Sequence, residues 1–149
     1  MPGRMKTVLA LALLALGAGT LRAEIVRPDP DENLQWAAAV DLVTPLRRQG
    51  DLTVKLFGAA GGDPAMNGLH TYLAFFDSPA EGWRLFMLGN ILSYRVVAET
   101  RGRLTLEIRE NVMNQATTEI GVRTRRVLVT WTAGPDGTPP ASVNMTAAR

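Results

Sequence analysis

The sequence predicts a mainly β fold, in which one antiparallel sheet of about seven strands curves into a small barrel. A two-sheet sandwich is the alternative. After Gly50, apolar and polar residues alternate with a period of two in several segments, as they do in half-buried strands. These segments follow one another closely and are joined mostly by Gly-, Pro-, Asp- and Asn-containing turns. Because parallel strands need long crossover connections, we expect such strands to pair antiparallel.

The first 23 residues have the three parts of a secretory signal peptide. Arg4 and Lys6 form a positively charged start, Val8–Leu16 is an uncharged apolar run, and small residues lead to Ala23. The apolar run is much shorter than the about 20 residues of a membrane-spanning helix. We therefore predict cleavage near Ala23, and a mature protein that is not transmembrane. Arg outnumbers Lys 14 to 2, which is typical of a GC-rich bacterial genome, so we expect a periplasmic or secreted protein.

The charge of the chain gives no support for nucleic-acid binding. The whole sequence has 16 basic and 14 acidic residues, but three basic residues lie in the predicted signal peptide. Their removal leaves 13 basic residues against 14 acidic ones, a net charge of −1. The chain contains no cysteine, which excludes disulfides, thiolate metal sites and cysteine nucleophiles.

A helix is expected before the strands. Residues 24–32 read as a flexible lead-in, and residues 33–149 as a single β-rich domain. Over Asn33–Val43, the apolar residues Trp36, Val40 and Val43 fall at i, i+4 and i+7, as on one face of a helix. A buried strand from Trp36 to Val43 is the alternative, but three consecutive alanines favour the helix.

The expected strands are the segments with alternating or continuous apolar character. They are Leu52–Leu56, Leu69–Phe76, Trp83–Leu88, Ile91–Ala98, Leu104–Arg109, Val122–Thr132 and Ser142–Ala147. Arg101-Gly102-Arg103 marks a hairpin turn between two of them, whereas Asn111–Gly121 is polar and has no clear assignment. The strand Leu69–Phe76 is apolar on both faces, which suits a strand covered by the helix or a surface offered to a partner.

Catalytic and metal-binding motifs are not evident. His70 is the only histidine, so it alone could supply a base that titrates near neutral pH. A histidine metal site needs further ligands, and the sequence has neither a second histidine nor a cysteine. We therefore predict no metal and no cofactor. A hydrolase that uses His70 together with Tyr72, Asp77 or Glu81 remains an alternative.

Two groups of residues are candidates for binding. His70, Tyr72, Phe76, Trp83 and Tyr94 lie in neighbouring predicted strands, where aromatic rings could line an apolar pocket or simply belong to the core.

The second group is the basic cluster Arg123, Arg125 and Arg126. It could dock an anionic partner such as lipid headgroups or a polysaccharide. Alternatively, its members could pair with acidic neighbours such as Glu107 or Glu119.

Taken together, these features favour a small, exported, non-enzymatic accessory domain that binds an envelope component or a protein partner. A barrel-shaped carrier of a small apolar ligand is the first alternative, and a hydrolase using His70 is the second.

The export prediction is tested by intact mass spectrometry of the periplasmic fraction after expression in a bacterial host. We expect a mass that begins at or near Glu24, because the signal peptide is removed on export. A retained N-terminus would indicate a membrane anchor instead.

Overall fold

The computed structural model describes residues 26–28, 30–32, 37–63 and 66–148, which form two four-stranded antiparallel sheets. The predicted signal peptide, residues 1–23, lies outside the described residues. Sheet 1 contains β1 (Val40–Leu46), β2 (Val54–Ala60), β3 (Leu69–Ser78) and β4 (Gly82–Ile91). Sheet 2 contains β5 (Ser93–Thr100), β6 (Arg103–Met113), β7 (Ile120–Trp131) and β8 (Val143–Ala147), with a short 3₁₀ turn, Pro135–Gly137, before β8.

Each sheet is a simple meander, since every strand pairs with the next strand in the chain. The strands of sheet 1 therefore all precede those of sheet 2. Only Leu92 separates β4 from β5, and its backbone N–H donates to the Arg109 carbonyl oxygen at 2.9 Å. The chain thus passes from one sheet to the other along an almost continuous strand.

The mainly β, antiparallel class is confirmed, but the predicted closed barrel is wrong. The described strands form two separate hydrogen-bonded sheets, because the ladder is interrupted at Leu92 instead of running on around a cylinder. A strand buried on one face shows the same period-two pattern in a barrel and in a sandwich, so alternation could not distinguish the two.

The predicted helix is wrong for Val40–Val43, which belong to β1. These residues pair with β2 at the edge of sheet 1. With β1, the described residues contain eight strands instead of the seven predicted. Most of β1 is exposed and its register shifts between Val40 and Leu42, so it lacks regular alternation. Pro45 is tolerated because an edge strand leaves one row of backbone groups unpaired. Of the rest of the predicted helix, residues 33–36 lie outside the described residues, and residues 38–39 form a turn directly before β1.

The core is formed by the inner faces of the two sheets. Phe75 of β3 is fully buried and makes edge-to-face contacts with Phe86 of the same sheet (5.7 Å between ring centroids) and with Trp131 of sheet 2 (5.4 Å). The other buried core residues come from both sheets: Leu46, Val54, Leu56, Leu73, Ile91, Tyr94, Leu104, Leu106, Ile108, Val127 and Val129. Both sheets therefore depend on the same hydrophobic contact.

Two side-chain amides form hydrogen bonds between the sheets, at opposite ends of the strands. Gln49, only 2% exposed, donates from Nε2 to Glu99 Oε1 (2.9 Å) and to the Thr100 carbonyl oxygen (3.1 Å). Its Oε1 accepts from the Gly102 N–H at 3.0 Å. At the other end, Asn67 donates to the backbone carbonyl of Asn111 (3.1 Å) and accepts from its N–H (2.6 Å).

We expect the Gln49→Ala substitution to lower the free energy of unfolding by about 2 kcal/mol. The substitution removes three hydrogen bonds and leaves the Gly102 N–H without its acceptor. Urea denaturation measures the change, and Thr146→Ala on the exposed outer side of β8 is the matched control. Equal stability of the two variants would show that Gln49 does not hold the sheets together.

Candidate interaction surface on sheet 1

The outer face of sheet 1, turned away from the core, is rich in apolar and aromatic side chains. In the register of this sheet, Phe57 stands opposite Tyr72, Phe76 opposite Trp83, and Tyr72 opposite Met87. Because side chains alternate along a strand, the residues flanking the buried Phe75 and Leu73 point to this outer side. We call the following set the aromatic face: Val43, Lys55, Phe57, Tyr72, Phe76, Trp83, Leu85 and Met87.

Several large apolar side chains of the aromatic face remain open to solvent. Val43 and Leu85 are each 51% exposed, Met87 is 54% exposed, and Trp83 is 39% exposed. Single exposed apolar residues are ordinary, but a contiguous group on one sheet face is typical of an interaction site.

The rings of the aromatic face are held by contacts with one another and with Lys55. Phe57 stacks on Tyr72 with 5.3 Å between centroids, and Phe76 packs edge-on against Trp83 at 5.4 Å. The Lys55 ammonium lies 4.0 Å from the centroid of the Trp83 ring and 5.9 Å from that of Phe57. These cation–π contacts place the one charge of the aromatic face among its rings.

Among the described residues, the acidic side chains considered as partners of His70 do not gather around it. The His70 Nδ1 lies 2.6 Å from Asn90 Oδ1, at the far end of β3 from the turn that contains Glu81. Asp77 lies seven positions after His70, about 23 Å along an extended strand, and it is paired with Arg84 at 3.0 Å. Among the described residues, no three His, Asp or Glu side chains gather where they could hold a metal ion.

Four of the five predicted ligand-binding residues share the outer side of sheet 1. Tyr72, Phe76 and Trp83 belong to the aromatic face, and His70 lies on the same side near the start of β3. Tyr94 is separated from them by the sheet itself.

The Tyr94 side chain is buried in the core, where its hydroxyl donates to the Leu56 carbonyl oxygen at 3.4 Å and lies 3.4 Å from Thr44 Oγ1. Burial raises the pKa of Tyr94, and the hydrogen bond to Thr44 partly offsets this.

Sequence reasoning did not select Val43, Lys55, Phe57, Leu85 or Met87. Trp83, Leu85 and Met87 do alternate along β4, and that alternation was the available signal. However, β4 is apolar on both sides, so alternation alone does not show which side faces the core.

The predicted aromatic ligand residues do not surround an interior cavity. At the centre of the sandwich, Leu56, Leu73, Phe75 and other core side chains are fully buried against one another. A cavity of about 420 Å³ opens at one end of the sandwich, with Leu42 and Leu69 in its wall, and none of the five predicted residues lines it.

The arginine cluster is divided between the two sides of β7. Arg123 and Arg125 both contact Glu110, each at 2.7 Å, on the side that continues the core. Arg126 points to the other side, 3.6 Å from Glu107.

Two guanidinium groups hold the Glu110 carboxylate, whose side chain is 13% exposed. Hydrogen bonds from Arg125, and then Arg123, lower the pKa of Glu110, although burial opposes this. A carboxyl whose pKa is lowered on folding stabilises the protein above its unfolded pKa. That stabilisation is lost as the pH falls through the folded pKa.

We expect Glu110→Gln to reduce the free energy of unfolding at pH 7 by roughly 1 kcal/mol, because the pairs are partly exposed. The difference from the original chain should vanish at acidic pH, once Glu110 itself is protonated. Urea denaturation at several pH values measures both effects. Asp51→Asn, at an exposed carboxylate without an ion pair among the described residues, is the control. A pH-independent loss in Glu110→Gln would contradict an electrostatic role.

Among the described residues, no helix is both long and apolar enough to cross a lipid bilayer. No protein-family model matches the sequence, and no curated protein or solved structure matches it significantly. What the protein does must therefore be inferred from its own surfaces.

Proposed function

We propose that this chain is an exported, non-enzymatic accessory domain that binds a protein partner through the aromatic face. The observation that carries the proposal is the group of half-exposed side chains Val43, Leu85 and Met87 beside the fixed rings of Phe57 and Trp83. Export is supported by the signal-like N-terminal sequence.

The energetics of the aromatic face suit association. Full burial of a large apolar side chain contributes about 1.5–3 kcal/mol, so covering three half-exposed ones contributes roughly 1 kcal/mol each. The stacked and edge-on rings are already held in place, so little side-chain entropy is lost on binding. Aromatic anchors of this kind are typical of the centres of protein interfaces.

The charge of the aromatic face defines the chemistry of the partner. Lys55 lies between Pro45 and Ala74 across the sheet and carries the only formal charge among the residues that define the face. We infer a partner surface that is mainly apolar and places one carboxylate opposite Lys55. A second copy of the chain fits less well, because a twofold pairing centred on this region would bring two Lys55 ammonium groups together.

The contacts favour this role over the two alternatives. A carrier would be expected to surround its ligand, whereas Tyr72, Phe76 and Trp83 lie on an outer face and Tyr94 lies in the core. A hydrolase would need an acid or base partner for His70, and Asp77 is instead held by Arg84 near the opposite end of β3.

A photo-crosslinking residue at position 85, in the native host, tests the proposal. We expect a protein adduct of defined mass from position 85 and no such adduct from position 105, which faces outward on sheet 2. The adduct should persist in Lys55→Arg and be lost in Lys55→Glu, because the partner carboxylate requires a positive charge. Once the partner is identified by mass spectrometry, replacing its carboxylate with lysine should restore the adduct to Lys55→Glu.

Several outcomes would contradict the proposal. A dimer of this chain would identify a second copy as the occupant, and a lipid adduct would identify a membrane. Equal adducts from positions 85 and 105, or adducts unaffected by Lys55→Glu, would show that the contact is not specific. Met87→Ser tests the apolar contact separately from the charge. Because Met87 is half-exposed, this substitution should abolish the adduct from position 85 without changing the urea midpoint.

A further inference from the structure

The outer face of sheet 2 has a different character from the aromatic face, because it is cationic. Register and alternation place five charged residues on this side, and β6 pairs with β7 without any register shift. The set consists of four arginines and one carboxylate: Arg95, Arg103, Arg109, Arg126 and Glu107. We call it the arginine face, and its net charge is +3.

The single carboxylate of the arginine face is shared between two guanidinium groups. Glu107 accepts from Arg95 at 2.9 Å and lies 3.6 Å from Arg126, while both arginine side chains remain more than half exposed. Arg103 and Arg109 have no ion pair with another described residue. The arginine face therefore retains unneutralised positive charge.

The arginine face continues onto a projecting hairpin. The β5 ladder ends where Ser93 pairs with Arg109, and the β8 ladder ends where Ala147 pairs with Val127. Beyond these points β6 and β7 extend as a two-stranded hairpin. Next to its polar turn of residues 114–119, three apolar residues are exposed on the same side as the arginines: Met113 (48%), Ile120 (49%) and Val122 (58%). We call these three residues the hairpin tip.

The base of the hairpin is braced on its other side. Glu110 holds Arg123 and Arg125, and the Asn67 amide is bonded to the Asn111 backbone. The hairpin tip is therefore presented by a structured support, so contact with a partner does not have to order it first.

We propose that the hairpin tip and the arginine face together dock the domain on an anionic phospholipid membrane. Arg109 stands opposite Thr124, two residues from Val122, so it lies about 7 Å along the hairpin from the nearest residue of the tip, on the same side. When the hairpin lies along the membrane on this side, the polar turn of residues 114–119 stays in the headgroup layer, and the three apolar side chains of the tip point toward the acyl chains. The Arg109 guanidinium then meets the phosphates, which it can bind with two hydrogen bonds.

Charge alone does not account for this docking. Glu119, in the hairpin turn, opposes the attraction, and the segment from Glu107 to Arg126 has four arginines against three glutamates. A single weak signal gives only marginal membrane binding, and stable anchoring takes two signals together. Apolar insertion and arginine–phosphate contact must therefore act jointly, which distinguishes this surface from one that binds any polyanion.

Co-sedimentation of the purified chain with lipid vesicles tests the proposal. We expect binding to vesicles that contain phosphatidylglycerol, weak or no binding to pure phosphatidylcholine, and weaker binding as salt is raised. Arg109→Ser should weaken binding about fivefold, in line with one cationic side chain at an anionic surface. Ile120→Ser should weaken it about tenfold, through the loss of apolar insertion. Met145→Ser, at an exposed apolar residue of the edge strand β8 outside both faces, is the matched control and should bind as the original chain does.

A tryptophan substituted at the hairpin tip provides a direct readout of insertion. The fluorescence of Ile120→Trp should shift to the blue on addition of anionic vesicles, whereas that of Thr130→Trp, on the same face far from the tip, should not. Urea midpoints close to that of the original chain confirm that the variants fold.

Three results would overturn the proposal: equal binding to neutral vesicles, no sedimentation with either lipid, or no effect of Ile120→Ser. Binding to dextran sulfate as strong as that to vesicles, and insensitive to Ile120→Ser, would point to a polysaccharide instead. None of these measurements depends on the protein partner of the aromatic face.

Discussion

The fully buried Phe75 ring, packed between the two sheets, is the constraint from which the rest of the structure follows. Its edge-to-face contacts with Phe86 and Trp131 join the two inner faces. Because side chains alternate along a strand, an inward Phe75 directs Phe76 outward. The pairing with β2 and β4 then determines which of their side chains point inward and which point outward. A slip of one residue would bury the aromatic face and expose the core. The core therefore determines which apolar residues remain available for binding.

A two-layer sandwich has two outer faces, and in this domain they differ in chemistry. One carries aromatic rings with a single lysine, and the other carries arginines that continue to an apolar hairpin tip. Packed sheets lie about 10 Å apart, so the two faces are close together but point in opposite directions. A domain held at a membrane through the arginine face would present the aromatic face away from the lipid, toward a protein partner. The two proposals thus describe one adaptor-like arrangement.

The strands with a clear pattern were predictable. Leu104, Leu106 and Ile108 alternate with polar residues, and β6 follows the predicted hairpin turn at Gly102. A strand at β1 was considered only as the alternative to a helix, because an exposed edge strand has no regular apolar face. Four of the five candidate ligand residues fall on one side of sheet 1 because neighbouring strands bring them together, whereas Tyr94 follows the chain across Leu92 into the core. The sequence gives no sign that Lys55 belongs to a binding surface, because only the folded chain places its ammonium group beside the rings of Phe57 and Trp83.

The residue pattern alone was sufficient for a mainly β, antiparallel domain, because period-two alternation and short connections are local properties of the chain. It could not distinguish a barrel from two packed sheets, since both bury alternate residues. Nor could it separate core from surface in β3 and β4, which are apolar on both sides. Those outcomes depend on contacts between residues far apart in sequence, such as Phe75 with Trp131, and only the folded chain brings these residues together.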